Sequence, residues 1–346
     1  VKADGSVLTT GMSYTGAHND TDRAVGNKDL SLLDRTYYAP KPGMTGAQLN
    51  DATNYYRYTI LRSGDPNHPG RIIRSERKNN VAGDEGLTNA GCSSSGTGWQ
   101  WKDCQYLPLA DFGRTEAQEK DNFATWFSYH SYRVKAAKAG ASEAFKNMGK
   151  DVRVGFRTIN TGGGNTNYDI PVGSNGGIFT DELSHLNKTA WYNKLHGATT
   201  TGSTPLRNAL KFTGEYFKDA SATGPYGPGT GASQLACRQN FAILTTDGEW
   251  NGPTPTGIGN EDGTAGPNGY VVAAPYSDGA VQNSQMLADV AMHYWKTDLR
   301  ATLADIVPVS PANPANWQHM VTFGISIGLK GSINPAGPYP GQAGGA

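Results

Sequence analysis

The stretch "FAILTTDGEWN", from Phe241 to Asn251, is the clearest signature of a buried strand in this chain. Four apolar residues are followed at once by two threonines, Asp247 and Gly248. A short apolar run that stops at turn residues predicts a strand over 240–246, with Asp247 just past its carboxyl end. The simpler interpretation of Asp247 is a turn residue, and the alternative is a carboxylate placed to bind a ligand.

Helical and strand patterns alternate around this strand. Helical patterns cover 115–149, 181–195, 204–217 and 284–305, and strand patterns cover 152–156, 240–246 and 319–328. Thr115 and Gln118 form a capping box at the start of the first helix. An alternation of this kind predicts an α/β fold, with a Rossmann-like, mostly parallel sheet and helices on both of its faces.

The rest of the chain differs in character from this α/β segment. Residues 1–112 are dense in Gly, Asn, Asp and Tyr and show little periodicity, so we predict a large irregular, loop-rich N-terminal region or insertion with a few short strands or helical turns. The α/β core is predicted over 113–330, and a Gly/Pro-rich tail over 331–346. The chain begins at Val1 without an initiator methionine, which favours a processed or excised piece.

Composition and charge narrow the class of protein. The 30 basic residues balance the 30 acidic residues, so the sequence has no electrostatic footprint for nucleic acid or for an anionic membrane. No apolar run approaches the roughly 18 residues that span a bilayer. Charged residues make up only 17% of the chain, a balance that favours an extracellular, loop-rich protein over a cytosolic enzyme.

The chain has three cysteines. Cys92 and Cys104 bracket a Gly/Ser-rich loop, and they can close a short disulfide if the compartment is oxidising. Cys237 is then left over, either as an inert buried thiol or as one with a partner elsewhere.

Two polar residues stand where ligands bind on sheets of this kind. Parallel sheets bind ligands at the carboxyl ends of their strands, and we expect both Thr204 and Asp247 at that edge. Their hydroxyl and carboxylate are hard oxygen ligands, suited to Mg²⁺, Mn²⁺ or Ca²⁺. The simpler interpretation makes Thr204 a helix cap, with Pro205 at the first helical position, and Asp247 a turn residue.

Two further motifs have weaker spacing. "GNEDGTAGPNGY" carries Asn260, Glu261 and Asp262, which can form a second cation loop for Ca²⁺, although the spacing favours a solvated turn. "GISIG" matches the nucleophile pattern of serine hydrolases at Ser326. That pattern requires a helix directly after the strand, and "LKGSINPAGPYPG" follows here instead, so we do not expect an enzyme.

Several phrases taken together resemble one family. They are similar, in the same order over roughly 113–330, to the N-terminal half of PilY/PilC proteins, the tip-associated adhesins of bacterial type IV pili. The phrases are "NFATWFSYHSYRVKAAKAG", "VRVGFRTIN", "GSTPLRNAL", "CRQNFAILTTDGEWN", "GNEDGTAG", "LADVAMHYWKTDLR" and "WQHMVTFGISIGL". The resemblance implies a von Willebrand factor A-like domain in an extracellular protein, at the pilus tip or outer cell surface.

The same resemblance implies a role in adhesion and pilus assembly. The implied partners are minor pilins or the pilus tip complex, together with a host or abiotic surface. A metal-free structural cap that docks onto minor pilins is the alternative. A role in adhesion implies a divalent cation, Mg²⁺, Mn²⁺ or Ca²⁺, bound at the family's adhesion site. Thr204 in "GSTPL" matches the second ligand loop of that site, and Asp247 in "TTDG" matches the third. A carboxylate of the partner would complete the coordination.

The first ligand loop of that site, D-x-S-x-S, has no complete match. Asp4 and Ser6 are present, but Leu8 stands where the second serine belongs. Either the first strand lies upstream of Val1, or the protein lacks a working site and Val7–Tyr14 serves as a degenerate first strand. The metal site predicted from the sequence therefore lacks its main loop.

Overall fold

The computed structural model describes the greater part of the chain. The described residues are 12–21, 24–66, 68–76, 102–107, 109–160, 170–173, 177–182, 187–261, 263–271 and 286–327. Two compact units make up the chain, one formed by Leu8–Lys135 and the other mainly by Ala136–Ala346. The predicted domain limits at 112 and 330 stay a prediction. Within the described ranges, no helix combines the length and apolar character that a membrane span requires.

Antiparallel strands dominate the N-terminal unit. A hairpin pairs β1 (Ala17–Thr21) with β2 (Ala24–Lys28). A four-stranded sheet follows, with its strands ordered as they occur in the chain: β3 (Arg35–Pro40), β4 (Tyr55–Ile60), β5 (Ile72–Glu76) and β6 (Lys102–Tyr106). The few short strands expected in this region are therefore present, and what the sequence did not predict is their pairing into one sheet. Tyrosine, threonine and isoleucine favour pleated strands, even where interleaved polar residues hide the alternation.

Helix α2 (Glu116–His130) packs on this sheet, after the single turn α1 (Leu109–Phe112). The predicted capping box is confirmed, because the Gln118 N–H donates to Thr115 Oγ1 over 3.3 Å and the Thr115 N–H donates to Gln118 Oε1 over 2.9 Å. One buried apolar cluster joins α2 to the sheet and to the N-terminal segment: Tyr14, Ala17, Leu30, Tyr58, Ile60, Ile72, Phe123 and Ala124.

The single helix predicted over 115–149 is in fact two helices, α2 and α3 (Arg133–Phe145). At the break, the Ser131 hydroxyl donates to the Phe127 carbonyl over 2.5 Å, and Lys135 Nζ donates to the same oxygen over 3.1 Å. Side chains that take the carbonyl four residues back compete with the helical ladder and bend or end the helix.

Besides α3, the described residues of the C-terminal unit contain three α-helices and two strands. They are α4 (Asn187–Gly197), α5 (Leu206–Tyr216), β7 (Asn240–Thr246), α6 (Leu287–Lys296) and β8 (Met320–Ser326), of which only the two strands pair with each other. The pairing is parallel and runs from Asn240 opposite Met320 to Thr246 opposite Ser326. The predicted strands around 240–246 and 319–328 are thus confirmed, and the chain has mixed α/β structure with one parallel pair among its described residues.

The inner face of this pair is packed by helices. Ala242 of β7 and Met320 of β8 are buried in one cluster with Leu210 of α5 and with Val290 and Tyr294 of α6. Close approach of α5 and α6 is possible because residue 214 is glycine. A Cβ at Gly214 would lie 2.2 Å from the Tyr294 ring, well inside van der Waals contact.

The outer face of the pair is apolar and exposed. Phe241, Ile243, Phe323 and Ile325 are 49–53% exposed, and the rings of Phe241 and Phe323 stack with centroids 6.2 Å apart. The predicted coverage of both sheet faces by helices is therefore wrong for the described residues. The alternation of β7 and β8 sends even-numbered residues to α5 and α6 and leaves the odd-numbered ones facing outward.

The strand predicted over 152–156 is also wrong as a continuous element. Arg153 and Phe156 form only isolated antiparallel bridges, with Ile178 and Ile170 respectively. The two bridges do not share one register, because a step of three residues from 153 to 156 corresponds to a step of eight from 178 to 170, so no continuous ladder forms among the described residues. The sequence predicts a mostly parallel sheet of several strands. In the part of the chain that the structure describes, the parallel sheet consists of β7 and β8.

Candidate functional site

Asp247 stands directly after β7, at the carboxyl end of the parallel pair. Since Thr246 pairs with Ser326, the ends of both strands meet at this edge, and the Ile327 N–H donates to the Thr246 carbonyl over 2.9 Å. Gly248 has φ +93° and donates its N–H to Thr246 Oγ1 over 3.1 Å, so the chain turns away sharply. The predicted place of Asp247 is confirmed, and its role as a ligand stays a prediction.

Thr204 lies on the neighbouring loop, before α5. Its N–H donates to Asn251 Oδ1 over 2.7 Å, and the Asn251 N–H donates back to the Thr204 carbonyl over 3.0 Å. This reciprocal pair ties the loop that follows Asp247 to the loop before α5. The structure therefore brings the loops of Thr204 and Asp247 together, as the sequence predicts.

The predicted cap at Thr204 is wrong. Pro205 occupies the N-cap position of α5, with φ −82° and ψ 57°, and no side chain caps the helix by a hydrogen bond. The helix begins one residue later than predicted because the backbone of Pro205 has not yet entered the helical region. The hydroxyl of Thr204 is consequently not committed to capping.

Three residues that the sequence did not single out hold the loop after Asp247 against α5. Asn208 Nδ2 donates to the Pro253 carbonyl over 3.1 Å, and Lys211 Nζ donates to the Thr256 carbonyl over 2.6 Å. The guanidinium carbon of Arg207 lies 3.9 Å from the ring centroid of Trp250, a cation–π contact. Their spacing along α5 (207, 208 and 211) is the one signal that could have identified them, since it places them along one side of a helix.

The predicted second cation loop surrounds a buried carboxylate. Asn260 is half-buried, and Asp262 lies outside the described residues. Between them, Glu261 is 6% exposed and accepts from Lys296 Nζ over 2.6 Å, while its other oxygen lies 2.9 Å from His293 Nδ1. The binding of a cation by Asn260 and Asp262 stays a prediction.

Electrostatics favour the ionised form of Glu261. Burial alone would raise its pKa, but the hydrogen bonds from Lys296 and His293, with the charge of Lys296 and a contact from Thr264, outweigh it and lower the pKa below the ordinary value of 4.5. The Glu261 N–H donates to Asp289 Oδ1 over 2.9 Å, which fixes the loop to α6. This arrangement serves to hold the loop in place.

The motif at Ser326 lies at the end of β8. Ser326 is the last residue of that strand and is exposed. The helix that a hydrolase nucleophile needs would have to begin among residues beyond 327, which lie outside the described residues. A catalytic role for Ser326 is untested.

The hypothesis that Val7–Tyr14 completes the parallel sheet fails for its described part. The Met12 N–H donates to Thr125 Oγ1 over 2.9 Å and the Tyr14 N–H donates to Asp121 Oδ1 over 3.3 Å, so both residues lie against α2 in the N-terminal unit. Neither belongs to a strand. Residues 7–11, like Asp4 and Ser6, lie outside the described residues.

The cysteines add little to the site. Cys92 lies outside the described residues, and so does the side chain of Cys104, whose backbone belongs to β6. Their disulfide stays a prediction. Cys237 is exposed and not in a disulfide, so the alternative of a buried thiol is wrong and that of a partner elsewhere stays a prediction.

The described residues contain no cluster of three or more His, Cys, Asp or Glu side chains that could hold a metal ion on its own. Thr204 and Asp247 offer a hydroxyl and a carboxylate on adjoining loops. Divalent ions such as Mg²⁺ and Ca²⁺ take about six or more oxygen ligands. These two residues therefore suit such an ion chemically but supply only part of its shell.

Sequence comparison relates the chain to proteins of bacterial type IV pili. No protein-family model matches the chain, and no solved structure matches it. The chain does match three proteins named type IV pilus biogenesis factor PilY1, all from Pseudomonas aeruginosa. The protein of strain PAO1 is 35% identical over 242 residues, or 62% of this chain, and that of strain PAK is 34% identical over 262 residues, or 66%. The protein of strain UCBPP-PA14 is 30% identical over 237 residues, or 62%.

The chain spans about a fifth of the length of these relatives: 20%, 22% and 19%. The matched part includes well over half of the chain in each case. Over about 62% of its length, the chain is therefore homologous to type IV pilus biogenesis factors.

Proposed function

We propose that this chain is the binding module of a type IV pilus-associated factor, placed at the pilus tip or outer cell surface. It acts by binding rather than by catalysis, and its partners are minor pilins or the tip complex and a host or abiotic surface. The observation that carries this proposal is the 30–35% identity to three proteins named type IV pilus biogenesis factor. Adhesion and support of pilus assembly are the activities it implies.

The module is proposed to be a von Willebrand factor A-like domain. Support comes from strand β7 with an aspartate directly past its carboxyl end, from the parallel neighbour β8, and from the packing of α5 and α6 on one face. Ligands of parallel sheets bind at that edge. The loops of Thr204 and Asp247 meet there through Asn251.

The proposed binding chemistry uses a divalent cation at Thr204 and Asp247. A bound Mg²⁺, Mn²⁺ or Ca²⁺ offers a coordination position to a carboxylate of the partner. The chain's own residues pre-position the two ligands: Asn251 holds the backbone of Thr204, and Lys211 holds the far end of the loop after Asp247. The rest of the coordination shell comes from water or from residues outside this pair.

Thermal stability with and without cations tests this site. We expect millimolar Mg²⁺, Mn²⁺ or Ca²⁺ to raise the Tm of the wild type, because an ion that binds only the folded state stabilises it. Asp247→Ala should abolish the increase and Thr204→Ala should reduce it. Glu249→Ala is the matched control, since Glu249 is an exposed acid two residues further along the same loop. Equal cation responses in wild type and Asp247→Ala would contradict the metal site.

Complementation of a pilus-deficient strain separates adhesion from a structural role. In the full-length protein, Asp247→Ala should leave piliation intact and reduce surface attachment to the level seen with chelator. Normal attachment by the variant, with or without chelator, would identify the metal-free cap that docks onto minor pilins. Labelling of the wild type by a fluorophosphonate probe, and its loss in Ser326→Ala, would instead point to a hydrolase.

A further inference from the structure

Two arginines of the C-terminal unit have no acidic partner among the described residues. Arg153 follows α3 and Arg238 precedes β7, and both are half-buried. Arg153 Nη1 donates to the Val172 carbonyl over 3.2 Å, and Arg238 Nη1 donates to the Pro225 carbonyl. A guanidinium carries five N–H donors and a full positive charge. One bond to a neutral carbonyl therefore leaves the charge of each arginine uncompensated.

The two guanidinium groups lie at one contact between two loops. The loop at Gly173 packs directly on the loop at Thr223, since a Cβ at Gly173 would lie 1.7 Å from the Thr223 carbonyl oxygen and 2.8 Å from that of Gly224. The next residues along these loops, Val172 and Pro225, are those whose carbonyls accept from the arginines. The fold therefore brings both arginine side chains to the same pair of loops.

The charges of the two arginines act on each other. Burial lowers the pKa of Arg153 and of Arg238, and the charge of Arg153 lowers the pKa of Arg238 further. The other titratable groups that act on this pair are two tyrosines and a cysteine rather than carboxylates: Tyr216, Tyr226 and Cys237. Two like charges that are partly removed from water are unfavourable, and an anion bound between them would relieve the repulsion.

We propose that Arg153 and Arg238 form a binding site for a tetrahedral oxyanion, a phosphate or sulfate group. Such a group suits two guanidinium forks, because its several oxygens allow each fork a bidentate contact. A carboxylate has two oxygens and a single charge, which one fork satisfies. The group is either a free ion or part of a larger molecule such as a saccharide, and the experiment distinguishes these two sources.

This site lies at the opposite end of β7 from Asp247. Arg238 stands two residues before Asn240, where the seven-residue strand begins, and Asp247 follows Thr246, where it ends. An extended strand of this length puts roughly 20 Å between the two ends. Binding of an oxyanion at the arginines is therefore separate from binding of a cation at Asp247.

Isothermal titration of the whole 346-residue chain with inorganic phosphate tests the proposal. We expect a Kd of about 1 mM or tighter for phosphate and for sulfate, and at least about tenfold weaker binding of acetate at the same ionic strength. Glucose 6-phosphate distinguishes the sources. Tighter binding than that of inorganic phosphate indicates a group carried on a saccharide, and equal or weaker binding indicates a free ion.

Three chain variants locate the binding. Arg153→Gln and Arg238→Gln should each weaken phosphate binding at least about tenfold, while glutamine keeps a donor for the carbonyl that each arginine holds. Arg62→Gln is the matched control, because Arg62 is exposed and already lies 3.9 Å from a carboxylate oxygen of Asp34. We expect it to leave the Kd unchanged, with circular dichroism melts to verify that all three variants fold.

A measurement on the wild type covers a variant that fails to fold. Phenylglyoxal modifies accessible guanidinium groups, and peptide mass spectrometry follows the modification of each arginine. Phosphate at about ten times its Kd should slow the modification of Arg153 and Arg238 about tenfold, because that fraction of the chain is occupied. The modification of Arg62 should not change.

Three results would overturn the proposal: no phosphate binding up to about 20 mM, an unchanged Kd in both Arg153→Gln and Arg238→Gln, and equal modification of the two arginines with and without phosphate. Asp169, an acid three positions before Val172 in the sequence, lies outside the described residues. Binding that appears only in Asp169→Asn would also overturn the proposal, because the chain would then neutralise the pair itself. None of these results depends on a cation response at Asp247.

Discussion

Two acidic loops of the C-terminal unit look alike in sequence and differ in structure. "TTDGEWN" and "GNEDGTAG" both place acidic residues next to glycine in polar surroundings. Glu261 is buried, and both of its carboxylate oxygens contact basic side chains of α6. Asp247 is half-buried at the end of β7, on a loop held by Asn251 and Lys211. The difference teaches that an acidic loop stabilises the fold where a distant helix supplies its counter-charge.

The sharpest test of this contrast is Glu261→Gln. It leaves the ammonium of Lys296, whose side chain is 10% exposed, without its anion. We expect a loss of about 3 kcal/mol in the free energy of unfolding, because an unpaired buried charge is costly. Urea unfolding measures it. Glu182→Gln is the control: Glu182 pairs with Lys150 at 3.4 Å with both side chains about two-thirds exposed, and its loss should cost less than about 1 kcal/mol.

Helix α5 holds the loop after Asp247, and α6 holds the loop of Glu261, so the contact between the two helices supports both loops. The substitution Gly214→Ala tests this contact. The new methyl group would collide with the Tyr294 ring, so we expect a loss of about 1–3 kcal/mol in stability. Gly140→Ala is the matched control, because Gly140 lies in helix α3 with nothing within 4 Å of its Cβ position. That variant should be neutral or more stable by up to about 1 kcal/mol. Equal effects of the two substitutions would contradict the packing argument.

The pH dependence of stability separates the contribution of Glu261 from the other contributions to the free energy of unfolding. The pKa of Glu261 is lower in the folded chain than its ordinary 4.5, so the folded state gains stability from its ionisation above pH 4.5. That gain is lost as the pH falls below 4.5 towards the folded pKa. The stability difference between wild type and Glu261→Gln should therefore shrink between pH 6 and pH 3. A difference that stays constant over this range would contradict the assigned pKa shift.

The smallest effect is expected for Asp247→Ala without metal. Its loop is held through other residues, so the free energy of unfolding in chelator should change by less than about 0.5 kcal/mol. Urea unfolding in EDTA provides the measurement, with Glu261→Gln alongside it. A loss of stability comparable to that of Glu261→Gln would mean that Asp247, like Glu261, stabilises the fold. The contrast between the two loops would then disappear.

Local patterns predicted β7, β8, the capping box of α2 and the position of Asp247 well, because each depends on residues close in sequence. The N-terminal sheet was missed because its strands are interleaved with polar residues and their pairing partners are distant along the chain. The cap at Thr204 failed for a subtler reason, since the torsion angles of Pro205 decide where α5 begins. Glu261 could not be identified as structural, because Lys296 lies 35 positions away and reaches it only in the folded chain.

The Arg207–Trp250 contact has a practical consequence for spectroscopy. Trp250 is 46% exposed, lies three residues after Asp247 and has a guanidinium over its ring. Indole fluorescence depends on nearby charge and on solvent access, so ion or partner binding at this loop should alter the emission of Trp250. The difference spectrum between wild type and Trp250→Phe isolates that signal from the other six tryptophans. The chain therefore carries its own optical reporter beside the residue whose role is most in question.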